Sequence, residues 1–176
     1  MFTRFKPTWA LSSIYELTPE ELKKHGIKVI LTDLDNTLIA WDNPEGTPEL
    51  RSWLDRMQAA AVPVIVVSNN SKKRVAHAVA PLNLPFIARA LKPFSRGVNQ
   101  AKRMLNLSDS ELVLVGDQLV TDIAAANAAQ IRSILVKPIV ETDAWNTKIN
   151  RFFEGIIKNY LKKNNELKAW GHSLDD

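Results

Sequence analysis

The sequence contains no cysteine. That excludes disulfides, thiolate-bound zinc and cysteine nucleophiles, and it is compatible with a reducing compartment such as the cytoplasm. No stretch reaches the ~18 uncharged apolar residues that a membrane-crossing helix requires. The longest apolar runs, such as Val62 to Val67, suit buried strands instead. The N-terminal stretch Met1-Phe-Thr-Arg-Phe-Lys-Pro-Thr-Trp-Ala has basic and aromatic residues but no continuous apolar segment, so a secretory signal is not expected. Internal repeats, low-complexity tracts, zinc-finger spacing, Arg/Gly-rich tracts and RNA-binding signatures are all missing, and no nucleic-acid partner is expected. His25, His77 and His172 lack metal-ligand spacing and read as surface or helix-end residues.

What remains is an ordinary globular composition. The chain has 176 residues, 45% hydrophobic and 24% charged, enough to close a core and consistent with one domain spanning 1–176. Helical extensions are expected at about 1–25 and about 146–176. The net charge of +4 and pI of about 9.4 favour anionic partners such as phosphates or acidic lipid surfaces, without choosing among them.

Apolar strand-like runs alternate with helix-like segments, the pattern of an α/β fold with a doubly wound, Rossmann-like parallel sheet of about five strands. Strands are predicted at Lys28 to Thr32, Val62 to Val67, Leu84 to Ala88, Leu112 to Val115 and Ser133 to Val136. Pro63 is tolerable only near a strand start. The first, second and fourth runs are almost continuously apolar, as expected where helices cover both sheet faces. Helices are predicted over Pro19 to His25 with Thr18 as cap, and Pro48 to Ala60 with Thr47 as cap. Further helices are predicted over Ser71 to Val79, Ser95 to Leu105, Asp122 to Ala129 with Thr121 as cap, and Asn146 to roughly Asn164.

Three of these strands run into a polar residue: Asp33, Ser68 and, after Gly116, Asp117. Ligands of open parallel sheets bind outside the carboxyl ends of the strands, so these residues converge on one edge. Lys92, following the third strand, can reach the same place. Asp33, Asp35, Asp117 and Asp122 together form a costly concentration of negative charge unless a hard cation joins them. Magnesium suits such oxygen donors and commonly sits between carboxylates and a substrate phosphate. With Lys92 and the Ser68 hydroxyl holding phosphate oxygens, Asp33 can attack phosphorus. Asp35 can then protonate the leaving oxygen and later deprotonate water.

Asp33-Leu-Asp-Asn-Thr-Leu, Ser68-Asn-Asn, Lys92-Pro and Gly116-Asp-Gln-Leu-Val-Thr-Asp resemble, in order, the four motifs of the haloacid dehalogenase superfamily. From Pro7 to about Arg151 the chain further resembles the YqeG family of small bacterial phosphatases, itself similar to mitochondrial phosphatidylglycerophosphatases. Ser13-Ile-Tyr, Gly26-Ile-Lys, Asn69-Asn-Ser-Lys-Lys-Arg-Val and Thr147-Lys-Ile-Asn-Arg carry this second resemblance. The resemblance implies Asp33 as nucleophile and Asp35 as acid/base. It implies magnesium on Asp33, the Asp35 backbone carbonyl and Asp117, with Asp122 nearby, and phosphate on Ser68 and Lys92. The implied substrate is a lipid phosphate monoester, phosphatidylglycerophosphate. Gln130 stands where the pattern calls for glycine. The gaps from Leu38 to Pro48 and from Ser68 to Lys92 are too short for a cap domain. The site is therefore expected to be open to a bulky substrate, or to be covered by a second copy in an oligomer.

Several residues carry alternative readings. Asp122 can cap the following helix, and Asn69 is divided between turn and substrate contact. Asn36 and Thr37 are expected to shape their loop through side-chain to backbone hydrogen bonds. Phe152, Phe153, Ile156, Ile157, Tyr160 and Leu161 form a stripe read as packing on the sheet. The alternative is an interfacial face, with Lys148, Arg151, Lys158, Lys162 and Lys163 reaching anionic lipid and Phe2, Arg4, Phe5, Lys6 and Trp9 assisting. Localisation is expected to be cytoplasmic, with peripheral contact at the inner face of the membrane. The rival functions are a phosphatase for a soluble phosphate monoester or a phosphoprotein, a phosphoryl-accepting receiver domain, and a non-catalytic binding module.

Overall fold

A computed structural model describes residues 2–40, 43, 45–140, 148–167 and 169–176, with 148–151 as backbone alone. Among these residues, six parallel strands form a single sheet in the order β1-β6-β5-β2-β3-β4. They are β1 (Trp9–Leu11), β2 (Val29–Thr32), β3 (Val64–Val67), β4 (Phe86–Ile87), β5 (Leu112–Gly116) and β6 (Arg132–Val136). The strand absent from the sequence prediction is β1. It is short, and it pairs with a strand more than a hundred residues away, Trp9 opposite Ile134 and Leu11 opposite Val136. Pro63 lies just ahead of β3, where its missing N–H costs nothing and its carbonyl accepts from Ile30.

Every residue of β2, β3 and β5 is buried, and strand alternation divides their side chains between two cores. Ile30, Val64, Val66, Val113 and Val115 meet helices α1 (Pro19–Lys24), α2 (Pro48–Ala59) and α3 (Lys72–Val79). Val29, Leu31, Ile65, Val67, Leu112 and Leu114 meet α4 (Arg96–Leu105) and α5 (Ala124–Ala128). Trp53 of α2 is fully buried, and its indole N–H donates to the Leu17 carbonyl at 3.0 Å, which avoids leaving a buried donor unpaired at ~1–3 kcal/mol.

The helix starts follow local capping. Thr18 and Glu21 close a capping box on α1, Thr47 caps α2, and Ser71 caps α3 rather than beginning it. Thr121 caps nothing: residues Leu119–Ile123 form a π-helical turn ahead of α5, and the Thr121 hydroxyl donates to the Gln118 side chain. Gln130 adopts φ 60°, the left-handed conformation that glycine would enter without strain.

Helix α6 (Lys148–Lys163) packs with Ile157 and Leu161 on a third cluster, built with Ala10, Leu119, Ile123 and Leu135. The remainder of the predicted stripe, Phe152, Phe153, Ile156 and Tyr160, faces outward. The expectation that the whole stripe packs is thus corrected: one turn-spaced edge meets the sheet and the broader face does not. The predicted helix start at Asn146 and the side chains of Lys148 and Arg151 lie outside the described residues. Phe2 and Phe5 pack against the third cluster, Tyr160 meets Phe2 edge-on, and Trp9 sits in β1, so these aromatics serve the fold. Lys158 lies over the Trp170 ring at 5.1 Å. The C-terminal residues fasten the sheet edge, with Gly171 exchanging backbone hydrogen bonds with Ala10 and Ser12. No helix among the described residues is long and apolar enough to cross a membrane.

Candidate active site

The chain passes outward from β2 through β3 to β4, then returns to the other flank of β2 as β5. The carboxyl ends of β2 and β5 therefore border the crevice where strand order reverses, and Asp33 and Asp117 stand at its two lips. No cap is inserted between β2 and β3 or between β3 and β4 among the described residues.

Carboxylate oxygens of Asp33, Asp117 and Asp122 all lie within 4.8 Å of one another. Asp122 reaches the trio because the π-helical turn folds it back over β5. Its Oδ2 accepts from the Gln118 N–H at 3.1 Å, and a Cβ added to Gly116 would fall 2.3 Å from its carboxylate. The glycine is therefore required by close approach: its missing side chain is the space Asp122 occupies. As for the capping alternative, the Asp122 carboxylate bonds within the turn and to Lys92, while the first helical residues of α5 follow without a side-chain cap.

Lys92 sits among these acids with a side chain only 2% exposed; its Nζ donates to Asp33 Oδ1 and to Asp122 Oδ1, each at 2.7 Å. Burial alone would push this ammonium down. The Asp122 and Asp33 carboxylates outweigh burial and hold it above its ordinary value. Burial raises the Asp122 carboxyl to about 6 against the pull of Lys92. Burial, then Asp122, then Asp33, raise Asp117 well above the usual carboxylate range, opposed by the Thr37 hydroxyl that donates to it at 3.1 Å. Thr37 thus bonds a side chain across the crevice rather than its own backbone, correcting the expectation. Three clustered carboxylates against one ammonium leave uncompensated negative charge in a hard-oxygen donor set, which fits a divalent cation.

The loop carrying Lys92 is positioned from two sides. Asn69 Nδ2 donates to the Lys92 carbonyl at 2.9 Å, and the Lys92 N–H donates to Asn69 Oδ1 at 2.8 Å. Both ends of the Asn69 amide are engaged in holding this loop, the arrangement the turn reading expects. Gly97 at the start of α4 lets the helix close on Ala90, where an added Cβ would meet the Ala90 Cβ at 2.5 Å. Ser68 is buried at the end of β3, its Oγ accepting from the Asn70 N–H at 3.2 Å.

Asp35 is placed differently. Its side chain is not part of the acidic trio. Arg74 donates to both of its oxygens, at 2.7 and 2.8 Å, and Asn70 Nδ2 donates to Oδ2 at 2.6 Å. Asn36, the next residue, turns the loop at φ 60°, and the Tyr15 hydroxyl donates to the Leu38 carbonyl. Arg74 and Asn70 received no role from the sequence. The usable signal was the arginine in the first turn of a helix that Ser71 caps directly after a strand end.

A parallel sheet with an acid cluster and a buried lysine at its switch point defines an α/β enzyme built to handle an anionic group. The chain belongs to the haloacid dehalogenase-like hydrolases, whose family model matches residues 2–130. It is 39% identical over 164 residues to the Bacillus subtilis (strain 168) protein named "Probable phosphatase YqeG", covering 93% of this chain and 95% of that one. Over 166 residues it is 26% identical to "Phosphatidylglycerophosphate phosphatase 1, chloroplastic/mitochondrial" of Arabidopsis thaliana, covering 88% of this chain and 47% of that protein. A crystal structure of an uncharacterized Listeria monocytogenes serotype 4b protein shares the fold, with a TM-score of 0.52 at 13% identity over 76% of this chain and 99% of that chain. The enzyme is a phosphatase.

Proposed function

We propose that this phosphatase is magnesium-dependent and hydrolyses phosphate monoesters through a phosphoryl-aspartate on Asp33, with phosphatidylglycerophosphate as substrate. The observation that carries the reading is the Lys92 ammonium buried between Asp33 and Asp122, with Asp117 completing a carboxylate trio at the sheet's switch point. Asp33, Asp117 and the Asp35 backbone carbonyl would hold magnesium, with Asp122 beside them. When bound, the ion supplies positive charge to the phosphoryl group in transfer.

An Asp33 carboxylate oxygen attacks phosphorus, and the bond from phosphorus to the ester oxygen breaks as Asp35 delivers a proton to the departing alkoxide. Water then attacks phosphorus while Asp35 takes its proton. The bond between phosphorus and the Asp33 oxygen breaks, releasing inorganic phosphate and restoring the carboxylate. Lys92 and the Ser68 hydroxyl hold the non-bridging phosphate oxygens, and Lys92 balances charge on Asp33 throughout. One domain spanning 1–176 performs this, with terminal segments that brace the sheet edge.

The lipid assignment is supported by the activity named for the Arabidopsis relative and by the uncapped crevice. Peripheral contact with an anionic membrane is supported by the outward face of α6, where Phe152 is 67% and Phe153 is 53% exposed.

The test is phosphate release from phosphatidylglycerophosphate in mixed micelles, with and without magnesium, for wild type and Asp33→Asn. Release that needs magnesium and falls ~10⁴-fold or more in the variant is expected. Near-normal activity of Asp33→Asn would overturn the nucleophile. Turnover of aryl phosphate without turnover of the lipid would remove the lipid assignment in favour of a soluble or protein phosphate.

A further inference from the structure

Among the described residues, the Asp35 carboxylate has three donors, and its side chain stands apart from the acidic trio. Two belong to the Arg74 guanidinium in fork-to-fork geometry, and the third is the Asn70 amide. A bidentate guanidinium fixes the plane of a carboxylate as well as its position, which a single ammonium cannot do. The clamp is itself built on rigid parts. Asn70 follows β3 by three residues, and its backbone N–H is bonded to buried Ser68 Oγ. Arg74 lies in the first turn of α3, and its backbone N–H donates to the capping Ser71 side chain. Arg74 is half-exposed and the Asp35 side chain only 23% exposed, so the pair sits at the rim of the crevice rather than on open surface. The backbone of the Asp35 loop is held by its own turn, with the Asn36 N–H donating to the Ile39 carbonyl at 2.7 Å and Leu34 and Leu38 fully buried. What that turn leaves open, the orientation of the Asp35 carboxylate, is set by Asn70 and by Arg74 of α3.

We propose that Arg74, with Asn70, is a positioning residue that aims the Asp35 carboxyl at the bond being broken and at the attacking water. The inference rests on Asp35 as the acid/base proposed above. Neither residue needs to touch the phosphate, because each acts through Asp35.

Acid catalysis matters most when the leaving oxygen is a poor leaving group. A series of substituted phenyl phosphates and an alkyl phosphate therefore separates aim from binding. For Arg74→Ala, kcat/KM is expected to fall on the order of 10²-fold with the alkyl ester and less than about tenfold with the best aryl leaving group. With the best leaving group, kcat and KM are expected to fall together while the acyl phosphate accumulates, because misaimed water attack slows only the second step. Arg74→Lys is expected to remain impaired and added guanidinium to restore part of the alkyl-ester rate. Asp35→Asn combined with Arg74→Ala is expected to be no slower than Asp35→Asn alone. Thermal melting identifies any variant that fails to fold, in which case Asn70→Ala provides the same test.

A uniform loss across the series with raised KM and unchanged kcat would overturn the proposal, since Arg74 would then bind substrate. Undiminished rates with the alkyl ester would overturn it as well. If Asp35→Asn shows the leaving-group dependence and Arg74→Ala does not, only the positioning role fails. If neither shows it, the acid/base assignment of Asp35 fails first.

Discussion

Two regions of this molecule go against the ordinary distribution of residues, and they do so in opposite senses. At the carboxyl ends of β2 and β5, charged groups are buried: Lys92 and Asp122 are nearly inaccessible. Along α6, large apolar groups are exposed: Phe152, Phe153, Ile156 and Tyr160 face outward. The buried charges are tolerated because each finds a partner within the chain, Lys92 between two carboxylates and Asp117 against Thr37. The exposed apolar groups are less fully partnered: Tyr160 meets Phe2, and Phe152 and Phe153 meet each other edge-on while both stay largely exposed. A site whose buried groups are partnered within the chain is coupled to folding, whereas an apolar face that is not is available to something outside the chain.

Removing the central charge should give the largest effect. Lys92→Met leaves the buried Asp122 carboxylate and the partly buried Asp33 carboxylate facing each other without their cation, a loss of ~3–5 kcal/mol in stability by denaturant titration. Phosphatase activity should disappear with it. A stable Lys92→Met protein would mean that the site does not depend on internal pairing.

Magnesium should stabilise the protein by ~2.7 kcal/mol at a hundred times its dissociation constant. The pH dependence has a definite sign. Asp122 is raised from 3.8 to about 6 in the folded, metal-free protein, so folding favours its protonated form. That contribution is complete below the unfolded value and is lost as pH rises through the folded one. Magnesium needs the carboxylates ionised. The Tm difference between magnesium-loaded and metal-free protein should therefore be small near pH 4 and should widen as pH passes 6. A difference independent of pH would place the ion elsewhere.

Gly116→Ala is a subtler intrusion. The new methyl meets the Asp122 carboxylate, with an expected cost of ~1–3 kcal/mol and reduced activity from a displaced acid. The smallest effect on folding belongs to α6. Phe152→Ser with Phe153→Ser should change stability by less than about 0.5 kcal/mol and leave turnover of a soluble aryl phosphate intact. Sedimentation with anionic vesicles should drop. A large destabilisation would show that this face is packed after all, and unchanged sedimentation would remove lipid as its partner.

Much of the architecture was legible because parallel strands buried on both faces are written as continuous apolar runs. β2, β3 and β5 are such runs, and the polar residues that end them line one edge. The strand β1 was not legible, since three residues carry too little pattern and their partner β6 is distant in sequence. The stripe on α6 was legible as helical, but its periodicity could not say that only Ile157 and Leu161 would meet the sheet. The turn at Leu119–Ile123 escaped because Thr121 sits where a cap commonly stands, whereas the π-helical path was set by Asp122 bonding back to Gln118.

The sequence by itself determined the alternation of strand and helix, the switch-point edge, and the residue types gathered there: Asp33, Asp35, Ser68, Lys92, Asp117 and Asp122. Hydrophobic periodicity and capping are local, and local signals survive in one dimension. Only the tertiary structure decided that Lys92 bridges Asp33 and Asp122, that Asn69 holds the Lys92 loop, and that Arg74 and Asn70 clamp Asp35. Those contacts join residues from different strand ends, and their partners are set by which β-α units the sheet places side by side.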